Sequence, residues 1–225
     1  MPARNAGVAQ TAPWHLPACE NGSRGVTACA GCGSILCVRS EPSDQSPAIL
    51  NFDGKALYSA LDAKRVSSGL TWPGAATAIW DMAPVLNAAR AARGLTNHPI
   101  SPSTLKNLGA RADTSCQHAL FFLRWLNRTP ESFLTTADLD AGAPLPVCGP
   151  DRRPRWDLKG LHAGLNDCRV SRGLTWAQTA REVRCQPGQL TGLKTARFAT
   201  GMALAMRITQ WVGRPASDFI YPARW

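Results

Sequence analysis

The stretch RGLTWAQTAREVRCQPGQLTGL, residues 172–193, decides how the 225-residue chain is read. Thr175 is placed to cap a helix, and Gln178, three residues on, completes a capping box. The apolar spacing carries that helix to about Val183. A short turn, Arg184-Cys185-Gln186, leads to Pro187, which suits the first position of a following helix because its missing N–H has no partner there anyway. Leu190 and Leu193 then fall on the core side. Two helices joined by so short a turn form the layout that seats a recognition helix in the DNA major groove.

Upstream, Leu158, Leu161, Leu165 and Val170 give a preceding helix an apolar face that ends at Gly173. Downstream, a helix from about Thr200 to Val212 turns Met202, Leu204, Ile208 and Trp211 inward. The segment GRPASDFI reads as a turn and a short closing helix. Residues 156–225 thus make one predicted five-helix unit.

The unit is written twice. LNDCRVSRGLTW (165–176) repeats LDAKRVSSGLTW (61–72), and a first copy can be laid over residues 49–134. ALYSALDAKRVSSG matches helix one, and Thr71-Trp72 opens helix two. SPSTLKNLG (101–109) matches helix three, with Ser101 as cap and Pro102 at the first helical position. DTSCQHALFFLRWLN matches helix four, with Thr114 and Gln117 as its capping box. Trp72/Trp176, Trp125/Trp211 and Phe133/Phe219 fall at equivalent places and are read as core. The first copy carries nineteen extra residues between helices two and three, read as an insertion with a short helix near 83–93.

The fold class expected is therefore all-α, two tandem five-helix units joined by a linker at 135–155, whose Pro, Gly and Asp content suits a flexible connection. Residues 1–48 lack apolar periodicity and are expected to be a disordered, Cys-containing extension. No apolar run approaches the length of a membrane span, and the N-terminus lacks the apolar region of a secretory signal, so the expected compartment is the cytoplasm.

Net charge is +10 and unevenly placed. Residues 1–48 carry three basic and three acidic groups, residues 49–134 nine and five, residues 135–150 two acids, and residues 151–225 thirteen and five. The excess falls on the two copies, mostly the second, as expected of a surface that meets a polyanion.

With these motifs in place, RGLTWAQTAREVRCQPGQLTGL resembles the Cro/repressor-type (XRE) helix-turn-helix family. Its usual text has a Gly-Leu-Thr opening, an alanine inside helix two (here Ala180), and a Ser-Pro-Ser-Thr-Leu start to helix three (here 101–105). Together the two copies cover about 140 residues of the chain. The resemblance implies double-stranded DNA as partner and transcriptional regulation as role, without catalysis or cofactor. It implies base-reading positions at Gln186, Gly188, Gln189 and Thr191 in copy two and at Ser101, Ser103, Thr104 and Lys106 in copy one. Arg181, Arg184, Lys194 and Arg197 would bind phosphates beside the second recognition helix. Trp176 stands where the family commonly has a phosphate-binding glutamine.

Amides and hydroxyls suit base reading because Gln pairs bidentately with adenine and Ser or Thr reaches either base type. The recognition segments differ, SPSTLKNL against QPGQLTGL, so a bipartite, non-palindromic site bound by one chain is expected, its halves about 10 base pairs apart. The competing expectation is a helical interaction module in which one or both copies bind another regulatory protein; copy one, with its insertion and lower charge, is the better candidate. Cys19, Cys29, Cys32 and Cys37 offer a four-thiolate zinc set with one C-x2-C pair, set against reduced thiols in a disordered segment. No nucleophile–base, paired-carboxylate or phosphate-loop pattern stands out, so no enzyme activity is expected.

Overall fold

The computed structural model describes residues 48–95, 100–136, 141–196 and 199–224. They belong to one compact unit spanning Gln45–Trp225. The expected extension at 1–48, with its four cysteines, lies almost wholly outside the described residues.

The chain is mostly helical. In copy one, α1 (Gly54–Ser67), α2 (Trp72–Trp80), α3 (Pro84–Ala91), α4 (Pro102–Arg111) and α5 (Cys116–Leu126) are followed by a 3-10 turn at Glu131–Phe133. A strand, β1 (Arg153–Trp156), leads into α6 (Leu158–Ser171), α7 (Trp176–Val183), α8 (Pro187–Gly192) and α9 (Met202–Val212). A 3-10 turn at Ala216–Phe219 and strand β2 (Ile220–Ala223) finish the described chain.

The helix boundaries follow local chemistry. Asp53 caps α1 by accepting from the Lys55 and Ala56 amides at 2.9 Å, and Asp157 caps α6 through Gly160 at the same distance. Gly69 and Gly173 both end helix one at φ +65°, a conformation that costs a residue without Cβ almost nothing. The expected capping box forms in full, Gln178 N to Thr175 Oγ1 at 3.3 Å and Thr175 N to Gln178 Oε1 at 2.8 Å. Leu57, Leu61, Leu105, Leu108 and Leu120 in copy one, and Leu161, Leu165, Leu190 and Ile208 in copy two, are sealed from solvent in one continuous core.

Five expectations are corrected. The mostly helical fold carries one small sheet that the all-α expectation lacked: β1 and β2 pair antiparallel, from Arg153 opposite Ala223 to Trp156 opposite Ile220. The closing helices are 3-10 turns of three and four residues. Helix α5 is capped by Ser115, whose Oγ accepts from the His118 amide at 3.2 Å, while Gln117 donates instead to the Pro154 carbonyl at 2.8 Å. Trp72 and Trp176 are half-buried, whereas Trp125, Trp211, Phe133 and Phe219 are core as expected. The linker expected to be flexible is fastened over its described part. Val85 N donates to Pro150 O at 3.2 Å, Arg124 donates to Cys148 O at 2.9 Å, and residues 153–155 enter β1.

The repeat written in the sequence is repeated in contacts. Phe52 bridges Leu134 and Asp53 N donates to Phe133 O at 2.7 Å; the counterparts Trp156 and Ile220 face each other in the sheet, and Asp157 N donates to Phe219 O at 2.7 Å. Arg128 lies over Phe133 as Arg214 lies over Phe219, at 4.3 and 4.7 Å from the ring centres. The copies also touch each other. Cys116 N donates to Thr200 O and Met202 N donates to Thr114 O, both at 2.8 Å, around an antiparallel bridge of Ser115 with Gly201.

Candidate nucleic-acid interface

Helix α7 and helix α8 are joined by the expected three residues, 184–186. Arg184 takes the left-handed conformation at φ +58°, which turns the chain so that Cys185 N can donate to Ala180 O at 2.9 Å. Arg207 of α9 holds the turn from behind by donating to Arg184 O at 2.6 Å, and Trp211 Nε1 donates to Glu182 at 2.7 Å. Ala180, Val183, Leu190 and Leu193 are buried beneath the pair. The crossing of the two helices is thereby fixed by packing on one side and by hydrogen bonds from α9 on the other.

What this leaves outward is the set that the family resemblance implied. Gln186, Gly188, Gln189 and Thr191 are all exposed, as are Arg181, Arg184 and Lys194; Arg197 lies outside the described residues. Gln189 Oε1 accepts from Gln186 N at 2.9 Å, so the amide that could read a base also closes the first turn of its helix. Thr191 Oγ1 is turned back to the carbonyls of Pro187 and Gly188 at 3.4 and 3.3 Å. Around Gly188 a Cβ would meet nothing within 4 Å, so the backbone there is open to close approach.

Copy one presents a different arrangement. Ser101 and Thr104 cap α4 reciprocally, Thr104 N to Ser101 Oγ at 3.2 Å and Ser101 N to Thr104 Oγ1 at 3.3 Å. Ser103 Oγ lies 2.7 Å from Ser101 Oγ. Ser103 and Lys106 are exposed, whereas Ser101 and Thr104 are half-buried. Helix α3 occupies the insertion between α2 and α4, as expected, so no three-residue turn joins the helices corresponding to α7 and α8.

The insertion is clamped by arginines that sequence reasoning missed. Arg153 is only 2% exposed; its guanidinium lies 3.5 Å from the Trp80 ring centre and donates to Asn87 Oδ1. Burial, with the Arg90 and Arg124 guanidiniums nearby, pulls the Arg153 pKa down to about 10. Arg124 donates to Met82 O at 2.8 Å and to Arg152 O at 3.0 Å, tying the insertion to the segment before β1. Nothing in DRRPRW (151–156) distinguishes Arg153 from its neighbours, because the groups that bury it, Trp80 and Asn87, lie far earlier in the chain.

A second unforeseen feature is a pair of matching sandwiches. Trp72 stacks on Tyr58 at 5.4 Å with Arg65 over its other face at 4.9 Å; Trp176 stacks on His162 at 5.4 Å with Arg169 at 4.7 Å. Arg65 and Arg169 each donate to the carbonyl two residues before the tryptophan, Leu70 O at 2.8 Å and Leu174 O at 2.7 Å. Each tryptophan begins the second helix of its copy, so the sandwich fixes where that helix starts relative to the first. Burial, then the charges of Lys194 and Arg169, hold the His162 imidazole below its ordinary range.

Among the described residues no group of three or more His, Cys, Asp or Glu side chains could hold a metal ion. The candidate zinc cysteines Cys19, Cys29, Cys32 and Cys37 lie outside those residues. No helix among the described residues is long and apolar enough to cross a membrane. Comparisons with protein-family models, with curated proteins and with solved structures find no match to the chain.

Proposed function

We propose that the chain is a sequence-specific, double-stranded DNA-binding regulator, built as tandem helix-turn-helix units of the Cro/repressor type and acting without catalysis. The observation that carries this reading is the seating of α7, a three-residue turn and α8, with the amide and hydroxyl positions of α8 outward. Exposed Arg181, Arg184 and Lys194 flank that face and supply the phosphate contacts such a helix needs for register. Copy two is the principal reader. Copy one supports a second reading, contact with another regulatory protein, because α3 separates its second and third helices.

Selection of the full-length chain against a random duplex library tests the reading. Enrichment of one motif, lost when α8 is altered at Gln189, is the expected result. Absence of enrichment under low salt, with binding to a protein partner retained, would replace the DNA reading with the interaction reading.

A further inference from the structure

The contacts between the copies are reciprocal. Counting from the repeated aromatic pairs, Cys116 corresponds to Met202 and Thr114 to Thr200, each 86 positions on. The Cys116 amide donates to Thr200 O and the Met202 amide to Thr114 O, so each residue makes to its counterpart's neighbour the bond that its counterpart makes in return. Ser115 bridges Gly201, its own equivalent. That is the signature of an isologous contact, in which a two-fold axis passes through the pairing point.

A second pair of contacts obeys the same axis. Position 210 in α9 corresponds to position 124 in α5. Gln210 exchanges hydrogen bonds with the Leu50 backbone of copy one, at 2.8 and 3.1 Å. Arg124 donates to Arg152 O, in the segment leading into copy two, at 3.0 Å. Each copy's last long helix therefore reaches the chain that leads into the other's first helix. A flexible tether would give no such reciprocity, and it leaves the order of the two copies on DNA open.

Both third helices sit beside this axis. Helix α4 ends at Arg111, four residues before Ser115. Gly188, Gln189 and Gly192 of α8 line a cleft of about 380 Å³ with Gly201 and with Asp113 of copy one. The geometry points to a preassembled pseudo-dimer within one chain, whose DNA target has its two unlike half-sites in inverted order at one fixed spacing. This rests on the DNA reading above and deepens it. Pairing through the Ser115–Gly201 bridge leaves no slack for direct order or for a changed spacer.

The test uses the full-length chain and duplexes built from its two selected half-sites. These are placed inverted or direct, at the selected spacing or with about five base pairs added, half a helical turn. The inverted duplex at the selected spacing is expected to bind one chain at least about tenfold more tightly than either alternative. A companion variant combines Cys116→Pro with Gln210→Ala. Proline suits the first residue of α5 because Ser115 is extended, at ψ 142°, and the backbone hydrogen bond removed is the one donated to Thr200. With helicity unchanged by circular dichroism, this variant should lose most of the spacing preference while still binding each half-site.

Equal binding of direct and inverted duplexes, tolerance of the added half turn by the unaltered chain, or two chains per duplex would each overturn the inference and leave the DNA reading standing. Failure to enrich any duplex would overturn both.

Discussion

Gln189→Ala and Gln189→Glu, compared side by side, separate two jobs that one amide holds. Gln189 Oε1 accepts from Gln186 N at 2.9 Å, and its Nε2 donates to no group among the described residues. Alanine removes both the cap and the amide donor. Glutamate keeps an acceptor for the Gln186 amide, in a first turn where a negative charge is favourable, but removes the donor that adenine N7 requires. Loss of the cap should cost about 0.5–1 kcal/mol of stability, seen in Gln189→Ala and not in Gln189→Glu. For a unit of this size that is a fall in melting temperature of about 1–4 °C. Loss of base reading should cost about 1–3 kcal/mol of affinity for the selected duplex, roughly 5- to 150-fold, in both variants. Thermal unfolding by circular dichroism and fluorescence anisotropy with the selected and a scrambled duplex measure the two effects separately. A Gln189→Glu protein that binds the selected duplex as tightly as the unaltered chain would show that Gln189 is only a cap.

Gly188→Ala should stabilise the protein by about 0.5–1 kcal/mol, since alanine is the better helix former and its methyl meets nothing, yet weaken DNA binding by placing that methyl on the reading face; calorimetry and anisotropy that moved in the same direction would contradict this. Gly54→Ala should destabilise by about 1–3 kcal/mol, because its Cβ would overlap Ala112 O, and an unchanged melting temperature would refute the close approach of α1 to the end of α4. Replacing Arg181, Arg184 and Lys194 together by alanine should flatten the dependence of log K on log salt by about 2.7, and an unchanged slope would remove them from the phosphate contacts. Burial lowers the pKa of both His118 and His162 from 6.5, so folding favours their neutral forms. Their contribution to stability is complete above about pH 6.5 and fades as pH falls through the lowered folded-state values. Urea midpoints should therefore drop below that pH, and less steeply in a His118→Gln/His162→Gln variant.

Much of the helical layout was legible because its signals are local. Thr175 with Gln178, Pro187 and Gly173 each act within a few residues, and each does in the structure what its spacing implied. The short helix expected in the insertion is α3 for the same reason. What escaped depends on partners far along the chain. Residues 153–156 become a strand because 220–223 lie beside them, and a Pro-containing segment gives no strand signal by itself. Trp72 and Trp176 repeat in register half-buried against the core, each between a ring and an arginine, an arrangement that leaves the same sequence trace as full burial. At the candidate interface the exposed positions of α8 could be named from the motif. The double use of Gln189 and the fastening of the 135–155 segment by Arg124 could not, because hydrogen-bond partners are set by the packed structure.

Sequence reading through α8 should appear as a difference in affinity between two duplexes. The full-length protein is titrated onto its selected duplex and onto a scrambled duplex of the same length, at physiological salt. The expected result is a preference for the selected duplex of at least about 10³-fold, with binding of both weakened as salt rises. Equal affinity for the two duplexes, or no binding to either at low salt, would contradict the claim.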